Sequence, residues 1–295
     1  MKLVSFRDKG APQGAARLGL LESSGIRDVT AGSSQPLSVA AVAGMNASER
    51  NAFLASAKTA PLIPLDQTVL TAPIPRPARN IFCVGKNYHE HAKEFAQSGF
   101  DATAKEVVPE LPVLFTKQPT SVCGPGDVIP GYLDDTQSVD YEGELGVVIG
   151  QGGRGISHDK AMDHVFGYTI INDVTSRVLQ QKHRQWALGK GIDGFCPMGP
   201  AVVSADETGD PRAMQLRTWV NGELRQNAPV ADLIFDIPTL ISTISRYITL
   251  EPGDIIATGT PEGVGIGFTP PKFLQKGDHV KIEISGLGIL ENTVG

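Results

Sequence analysis

The sequence predicts a strand-rich α+β fold, on two observations. Its 295 residues include 33 glycines and 21 prolines, and because both residues are frequent in turns, they favour many short elements over a helical bundle. The apolar segments have strand length and lie between turn residues. They include residues 80–84, 113–117, 166–171, 254–258, 280–284 and 289–294. Helical patterns are fewer: the clearest are a capped helix at 46–57 and an amphipathic helix at 237–248, and a short helix is predicted at 159–165.

Residues 1–72 are predicted to form a small N-terminal domain, and residues 73–295 the main domain. The first part shows strand patterns at 3–6 and 16–21, but no cluster of His, Cys, Asp or Glu with catalytic spacing. The boundary falls at residues 71–77, where three alternating prolines favour an extended, stiff linker. We expect the N-terminal part to serve in packing, in contact with a second copy or in shaping the entrance of the site.

The charge and the cysteines exclude several classes of protein. The formal net charge is −6 and no basic block is present to neutralise phosphates, so nucleic acid is not expected as a partner. Cys83, Cys123 and Cys196 are widely spaced without a Cys-x-x-Cys, which favours reduced thiols over disulfides or a zinc site. The amino terminus is too short an apolar run for a signal peptide, and no run has the length that spans a bilayer. We therefore expect a soluble, cytoplasmic protein without a membrane partner.

The main domain opens with a strand, a short loop and a predicted helix at 88–95. His91 and Glu94 lie three residues apart on one face of that helix. A carboxylate beside an imidazole raises its basicity, as a general base requires, although a surface histidine in a helix ion pair has the same spacing. Residues 96–112 are polar and irregular, and their length indicates a lid over the site.

Two glutamates lead into an apolar strand that ends near residue 149. Glu142 and Glu144 are two residues apart, so in a strand they point to the same face. Two carboxylates on a largely buried strand repel each other unless a cation or a proton lies between them. The pair is therefore typical of half a site for Mg²⁺, Mn²⁺ or Ca²⁺. The alternative is an exposed strand face that carries two glutamates.

A second group of polar residues follows the strand at 166–171. Asp173 either caps a helix predicted at 175–181 or supplies a third metal ligand, if its strand neighbours the first. Arg177 and Gln180 lie on one face of that helix, where an arginine can hold a substrate carboxylate through two hydrogen bonds.

Two irregular, glycine-rich segments complete the candidates. Lys190 lies in the first; a lysine there is usually solvated, but beside a cation held by three carboxylates it becomes a candidate electrophile. Residues 259–265 form the second, where small and rigid residues allow the backbone to approach a ligand. No Gly-Lys-Ser/Thr follows, so this is not a P-loop. A β-hairpin with an Asn-Gly turn is predicted at 219–224.

Taken as an ordered set, these residues resemble the fumarylacetoacetate hydrolase family over roughly residues 78–295. The set is Gly85-x-Asn87-Tyr88, His91-x-x-Glu94, Asp140-Tyr141-Glu142-x-Glu144, Gly167-Tyr168 with Asn172-Asp173, Arg177, Lys190 with Gly199-Pro200, and Gly259-Thr260-Pro261. The resemblance implies a mixed β-sandwich or β-roll, a homodimer, and a divalent cation, Mg²⁺ or Mn²⁺ with Ca²⁺ as an alternative. It also implies that the metal ligands are Glu142, Glu144 and Asp173.

The resemblance further implies the roles of the remaining residues. The His91–Glu94 spacing is similar to that of the acylpyruvase and oxaloacetate decarboxylase branch, in which the dyad lies on a short helix in a mobile lid. The implied catalytic residues are His91, Glu94 and Lys190, and the implied substrate contacts are Arg177, Gln180, Thr260 and Gly259.

The implied activity is metal-dependent hydrolysis of a carbon–carbon bond in a 2,4-dioxo acid, such as an acylpyruvate or fumarylpyruvate, to pyruvate and a carboxylic acid. His91 would deprotonate the attacking water, and Lys190 would stabilise charge at the reacting oxygen. The alternative is decarboxylation or isomerisation of a related 2-oxo acid, such as oxaloacetate or 2-hydroxyhepta-2,4-diene-1,7-dioate. A non-catalytic binding protein with a degenerate site is a third hypothesis.

Overall fold

Strands predominate in the computed structural model, which describes residues 1–11, 13–31, 37–100 and 107–295. The strands are β1 (Lys2–Asp8), β2 (Arg17–Glu22), β3 (Gly25–Asp28), β4 (Leu62–Ile63), β5 (Thr68–Thr71), β6 (Ile81–Gly85), β7 (Val113–Lys117), β8 (Val122–Cys123), β9 (Val128–Ile129), β10 (Val139–Asp140), β11 (Gly143–Ile149), β12 (Val165–Asn172), β13 (Thr175–Ser176), β14 (Cys196–Ser204), β15 (Gln215–Val220), β16 (Glu223–Pro229), β17 (Ile255–Ala257), β18 (His279–Ile284) and β19 (Gly288–Val294). The helices are α1 (Val39–Ala43), α2 (Ala47–Ala57), α3 (His89–Gln97), α4 (Arg177–Lys182), α5 (Ala187–Lys190), α6 (Ala205–Thr208) and α7 (Ile237–Tyr247).

Most of these strands belong to one mixed sheet. Within the described ranges it has 12 strands, in the order β4-β3-β2-β1-β14-β12-β11-β17-β6-β7, with β5 on β1 and β8 on β14. A second sheet has the order β16-β15-β18-β19-β9, and β10 pairs with β13. Most pairs are antiparallel, but β17 runs parallel to β6, β14 to β8 and β19 to β9. The strand-rich α+β prediction is confirmed.

The two large sheets pack face to face around the main core. Leu145 of β11, Leu216 of β15 and Ile282 of β18 belong to one buried apolar cluster. The sheets approach closely at Gly143, because a Cβ there would lie 2.5 Å from Thr218 Oγ1. By strand alternation, the glutamates on either side of this glycine point away from the contact between the sheets.

The N-terminal residues join the large sheet through β1. This strand pairs with β14, with Leu3 opposite Val202, and β5 returns along the other part of β1. Ser5 Oγ also donates a hydrogen bond to Pro73 O at 2.8 Å. Residues 1–72 are therefore joined by backbone pairing to the sheet that carries the site, and the division at residue 72 stays a prediction.

Several predicted elements are confirmed. Helix α2 begins with a capping box between Asn46 and Glu49, and Asp236 caps α7. In the hairpin, Asn221 and Gly222 have φ values of 50° and 82°, as a two-residue turn of this type requires. None of the helices in the described part of the chain is both long and apolar enough to cross a bilayer.

Two local predictions differ from the structure, and a third lies partly outside the described residues. The helix predicted at 175–181 begins at Arg177, because Thr175 and Ser176 pair with β10 as strand β13. The helix predicted at 159–165 is a 3₁₀ helix at His158–His164. The predicted lid at 96–112 includes residues 101–106, which lie outside the described residues. Its first two residues belong to helix α3, which ends at Gln97.

Candidate metal centre and active site

Three buried carboxylates meet at one end of the β11–β12 pair. These strands are antiparallel with Gly143 opposite Asn172, so Asp173, which follows β12, lies beside Glu142. Asp173 N–H donates to Glu142 O at 2.8 Å, and Glu142 N–H donates to Asn172 Oδ1 at 3.0 Å. Glu142, Glu144 and Asp173 each offer an oxygen within 4.8 Å of the others, and each residue is at most 5% exposed.

Buried cations balance part of this negative charge. Lys190 Nζ lies 2.7 Å from both Glu142 Oε2 and Asp173 Oδ2. Lys117 Nζ lies 2.7 Å from Asp173 Oδ1, and Arg177 Nη1 lies 2.7 Å from Glu142 Oε1. Burial acts to raise the pKa of Glu142, but the charges of Lys190 and Arg177 outweigh it and lower this pKa to about 2. Burial acts to lower the pKa of Lys190, and the charges of Asp173 and Glu142 reverse this effect and raise it.

Glu144 has a different environment. Its Oε2 accepts the N–H of Gly259 at 2.9 Å. Burial and the charges of Asp173 and Glu142 raise the pKa of Glu144 well above its ordinary value. A dication among the three carboxylates would remove this repulsion, and carboxylate oxygens are the ligands that Mg²⁺ and Mn²⁺ prefer. The donor set therefore fits a hard divalent cation.

The surrounding cluster of ion pairs carries an excess of negative charge. Asp140 belongs to it, because Arg177 Nε donates to Asp140 Oδ2 at 2.9 Å. Counted over the described residues in mutual contact, the carboxylates are Asp140, Glu142, Glu144 and Asp173, and the cations are Lys117, Arg177 and Lys190. The cluster thus has a formal charge of about −1, and a dication would change it to about +1.

The predicted histidine–glutamate dyad lies on α3. His91 Nδ1 is 3.1 Å from Glu94 Oε2, and His91 is 4% exposed. Glu94 Oε1 accepts the N–H of Gly263 at 2.9 Å. An ionised carboxylate only accepts hydrogen bonds, so in the neutral imidazole Nδ1 donates to Glu94 and Nε2 is the acceptor. This is the tautomer that a general base needs.

His91, Glu142 and Glu144 line one narrow cavity. Glu94 and Asp173 lie behind its wall, in contact with the lining residues His91 and Lys190. Aromatic residues form part of its wall: Trp186 packs edge-on against Phe95 and Phe115, with ring centroids 6.1 and 5.1 Å apart. Aromatic rings and charged residues thus share the wall of this cavity.

The structure brings the predicted substrate contacts to this cavity with one difference. Arg177, Gln180 and Thr260 line it, and Arg177 Nη1 donates to Gln180 Oε1 at 3.3 Å. Arg177 Nη2 has no hydrogen-bond partner among the described residues. Gly259, in contrast, directs its N–H to Glu144.

Sequence reasoning missed three buried polar residues. In the sequence, Lys117 is only the last residue of a predicted strand, although a lysine at the end of an apolar segment can indicate a buried partner of opposite charge. Asp140 was part of the quoted motif without a role. Gln226 joins two parts of the site, since its Nε2 donates to Thr260 Oγ1 at 2.8 Å and its Oε1 accepts the N–H of Gly143 at 3.1 Å.

Comparison with known proteins agrees with this site. Residues 80–295 match the model of the fumarylacetoacetate (FAA) hydrolase C-terminal domain. The chain belongs to the fumarylacetoacetate hydrolase family. The match begins two residues after the start of the resemblance seen in the sequence, and it includes every candidate site residue.

Members of the fumarylacetoacetate hydrolase family with different activities are similar to this chain. Oxaloacetate tautomerase YisK of Bacillus subtilis is 52% identical over 231 residues, which cover 78% of this chain and 74% of that protein. The structure of a fumarylacetoacetate hydrolase from Exiguobacterium antarcticum is 43% identical, with a TM-score of 0.82 over 100% of this chain and 99% of the other. Maleylpyruvate hydrolase from Sphingobium sp. SYK-6, in complex with manganese(II) and pyruvate, is 31% identical, with a TM-score of 0.79 over 100% and 98%.

Proposed function

We propose that this chain is a divalent-metal-dependent enzyme that interconverts the keto and enol forms of a small 2-oxo dicarboxylic acid of the oxaloacetate type. The observation that carries the proposal is the buried acidic triad, two of whose carboxylates, Glu142 and Glu144, line one cavity together with His91 of the His91–Glu94 dyad. The 52% identity with an oxaloacetate tautomerase supports this choice among the reactions of the family.

Glu142, Glu144 and Asp173 would hold the cation, Mg²⁺ or Mn²⁺. When bound, such an ion acts as a Lewis acid that lowers the energy of negative charge on a 2-oxo oxygen. The protein supplies the remaining charge, because Lys190 keeps its proton beside Glu142 and Asp173. Its ammonium group is thus placed to stabilise negative charge on the reacting oxygen.

The proton transfer falls to His91. Its Nε2 would remove a proton from C3 of the keto acid while the 2-oxo oxygen takes up a proton from solvent to give the enol. In the reverse direction the oxygen would lose its proton and His91 would return one to C3, so that the carbon skeleton stays intact. Glu94 holds the imidazole in the required tautomer through Nδ1. Arg177 would bind a substrate carboxylate through the unpaired Nη2.

Hydrolysis of a carbon–carbon bond in a 2,4-dioxo acid is the second candidate. The same dyad is suited to deprotonate a water, whose oxygen would add to the distal carbonyl before the bond to the pyruvate fragment breaks and C3 takes up a proton. The similarity to a maleylpyruvate hydrolase favours it. The higher identity with the oxaloacetate tautomerase, 52% against 31%, favours the tautomerase.

Product-resolved NMR distinguishes these activities. With Mn²⁺ or Mg²⁺, we expect accelerated keto–enol exchange of oxaloacetate, seen as faster uptake of solvent deuterium at C3 without new carbon products. Pyruvate and a carboxylic acid from an acylpyruvate would show hydrolysis, and pyruvate with carbon dioxide would show decarboxylation.

The Glu144→Ala and His91→Ala variants provide matched controls. Both should lose the activity, but His91→Ala should keep the rise in melting temperature on adding Mn²⁺, whereas Glu144→Ala should not. Exchange at the uncatalysed rate with metal present would refute the tautomerase proposal. The homodimer that the resemblance implies is also proposed, and sedimentation equilibrium checks it.

A further inference from the structure

Asp140 is a buried carboxylate that accepts hydrogen bonds from three parts of the chain. It lies at the end of β10 and is 0% exposed. Oδ1 accepts the N–H groups of Tyr141 at 2.9 Å and Gly265 at 2.6 Å. Oδ2 accepts Nε–H of Arg177 at 2.9 Å and N–H of Ile266 at 3.1 Å. An ionised carboxylate has about four acceptor positions, so all of them are used.

The turn that Asp140 holds, residues 263–267, lies directly against Glu94. Gly263 N–H donates to Glu94 Oε1 at 2.9 Å. A Cβ on Gly267 would lie 1.7 Å from the same oxygen. The other oxygen, Oε2, contacts His91. The 263–267 turn therefore fixes the position of the Glu94 carboxylate, and this carboxylate orients the His91 imidazole.

Asp140 also fixes the orientation of Arg177. Its bond to Nε leaves Nη1 directed at Glu142, 2.7 Å away. A carboxamide cannot reproduce this arrangement, because its nitrogen would face donors on one side, either the N–H groups of Tyr141 and Gly265 or those of Arg177 and Ile266. The arrangement thus requires two acceptor oxygens at this position.

We propose that Asp140 is a positioning residue. It holds the 263–267 turn, which positions the His91–Glu94 dyad, and it also holds Arg177, so that the dyad and the arginine are aligned with each other. Its catalytic consequence rests on the proposed function. Asp140 acts through these residues, since the groups that line the cavity stand between it and a substrate.

Hydrogen exchange tests the positioning role without substrate or metal. We expect Asp140→Asn to raise amide exchange about fivefold or more in peptides covering 262–268 and 89–97, because the turn loses its acceptor. Peptides of β11 and β12 should be unchanged. The matched control is Asp254→Asn, since Asp254 is also buried, pairs with Arg79 and accepts the N–H of Glu251 at 2.8 Å.

Steady-state kinetics with oxaloacetate and Mn²⁺ test the catalytic consequence. Asp140→Asn should lower kcat about tenfold or more and raise KM, whereas Asp254→Asn should change neither by more than about twofold. In a Glu94→Gln background, Asp140→Asn should lower kcat by less than about twofold, because the dyad is already broken, and should still raise KM through Arg177. The rise in melting temperature with Mn²⁺ should persist in Asp140→Asn.

Several results would overturn the proposal. The first two concern Asp140→Asn: a rise in amide exchange that is uniform across all peptides, or unchanged exchange at 262–268. The third is a loss of kcat on Asp140→Asn that is equally large in the wild-type and Glu94→Gln backgrounds. If wild-type protein does not act on oxaloacetate, the proposed function fails while the exchange pattern still decides the role of Asp140. If Asp140→Asn does not fold, Gly265→Ala tests the same contact, because its Cβ would lie 2.6 Å from Asp140 Oδ1; the same exchange pattern is expected, and unchanged exchange would refute the role.

Discussion

Glu142 and Glu144 are two residues apart, yet their neutral isosteres should change stability in opposite directions. When a chelator keeps the protein metal-free near neutral pH, Glu144→Gln removes a carboxylate that two other carboxylates repel. Glu142→Gln instead removes the partner of Lys190 and Arg177, each 2.7 Å away. We expect the first variant to be more stable than wild type and the second to be less stable.

The structure sets the magnitudes. At 4.8 Å, the upper limit of separation in the triad, and an effective dielectric constant of about 20, one pair of like charges costs about 3.5 kcal/mol. Glu144 has two such neighbours and the opposing charge of Lys190, and partial protonation reduces the cost further. We therefore expect Glu144→Gln to raise the free energy of unfolding by about 1–3 kcal/mol. Loss of one partner of a buried ion pair costs about 3–5 kcal/mol, so Glu142→Gln should lose about 3 kcal/mol, because its cations keep other partners.

Urea unfolding followed by tryptophan fluorescence measures both changes, provided that the m-values agree. Adding Mn²⁺ should stabilise wild-type protein and should have less effect on either variant, since each has lost a proposed ligand. If both variants were destabilised alike in the chelator, Glu144 would not be an uncompensated charge, and the argument for a dication at this position would fail.

Three further predictions concern other parts of the fold. Asp236→Ala removes the N-cap of α7, where Asp236 accepts the N–H of Thr239 at 2.9 Å, and should cost about 1 kcal/mol in urea unfolding. Burial acts to raise the pKa of Asp236, but hydrogen bonds from Thr239 lower it more; because the folded pKa lies below the unfolded value of about 3.9, the advantage of wild type should hold above that pH and shrink below it. Trp186→Ala should enlarge the cavity and raise kcat/KM for longer 2,4-dioxo acids relative to oxaloacetate, measured as a ratio. Gly267→Ala places a Cβ 1.7 Å from Glu94 Oε1 and should lower kcat about tenfold, with the melting-temperature rise on adding Mn²⁺ unchanged.

The candidate site was accessible to sequence reasoning where local geometry determines it. His91 and Glu94 meet because a helix places residues three apart on one face. Asp173 is predicted either to cap a helix or to supply a third metal ligand. The structure excludes the cap, because the helix is capped at Ser176 without a side-chain hydrogen bond, and it places Asp173 beside Glu142. The strand-rich fold followed from short apolar segments between turns.

The remaining contacts depend on tertiary structure that no local pattern encodes. Lys117 reaches Asp173 only because β7, at the edge of the large sheet, ends beside β12 and α5, where Lys117 Nζ also donates to Val174 O at 3.0 Å. Gln226 lies on an alternating strand, and its role appears only when the second sheet packs on Gly143. The pairing of β1 with β14 joins residues some 200 positions apart, which explains why the N-terminal part was treated as separate.

The charges of the site connect these missed residues to its chemistry. Without Lys117, the formal charge of the cluster would be more negative by one. The desolvation free energy of the buried Asp173 carboxylate would then be less fully offset. With Lys117 present, the formal charge is about −1, which is small enough for a folded metal-free protein but still attracts a dication. If a dication binds, the formal charge becomes about +1, which would favour the anionic 2-oxo acid proposed as substrate. Lys117, a buried lysine outside the recognised motif, would thus adjust the charge of the site for both the cation and the proposed substrate.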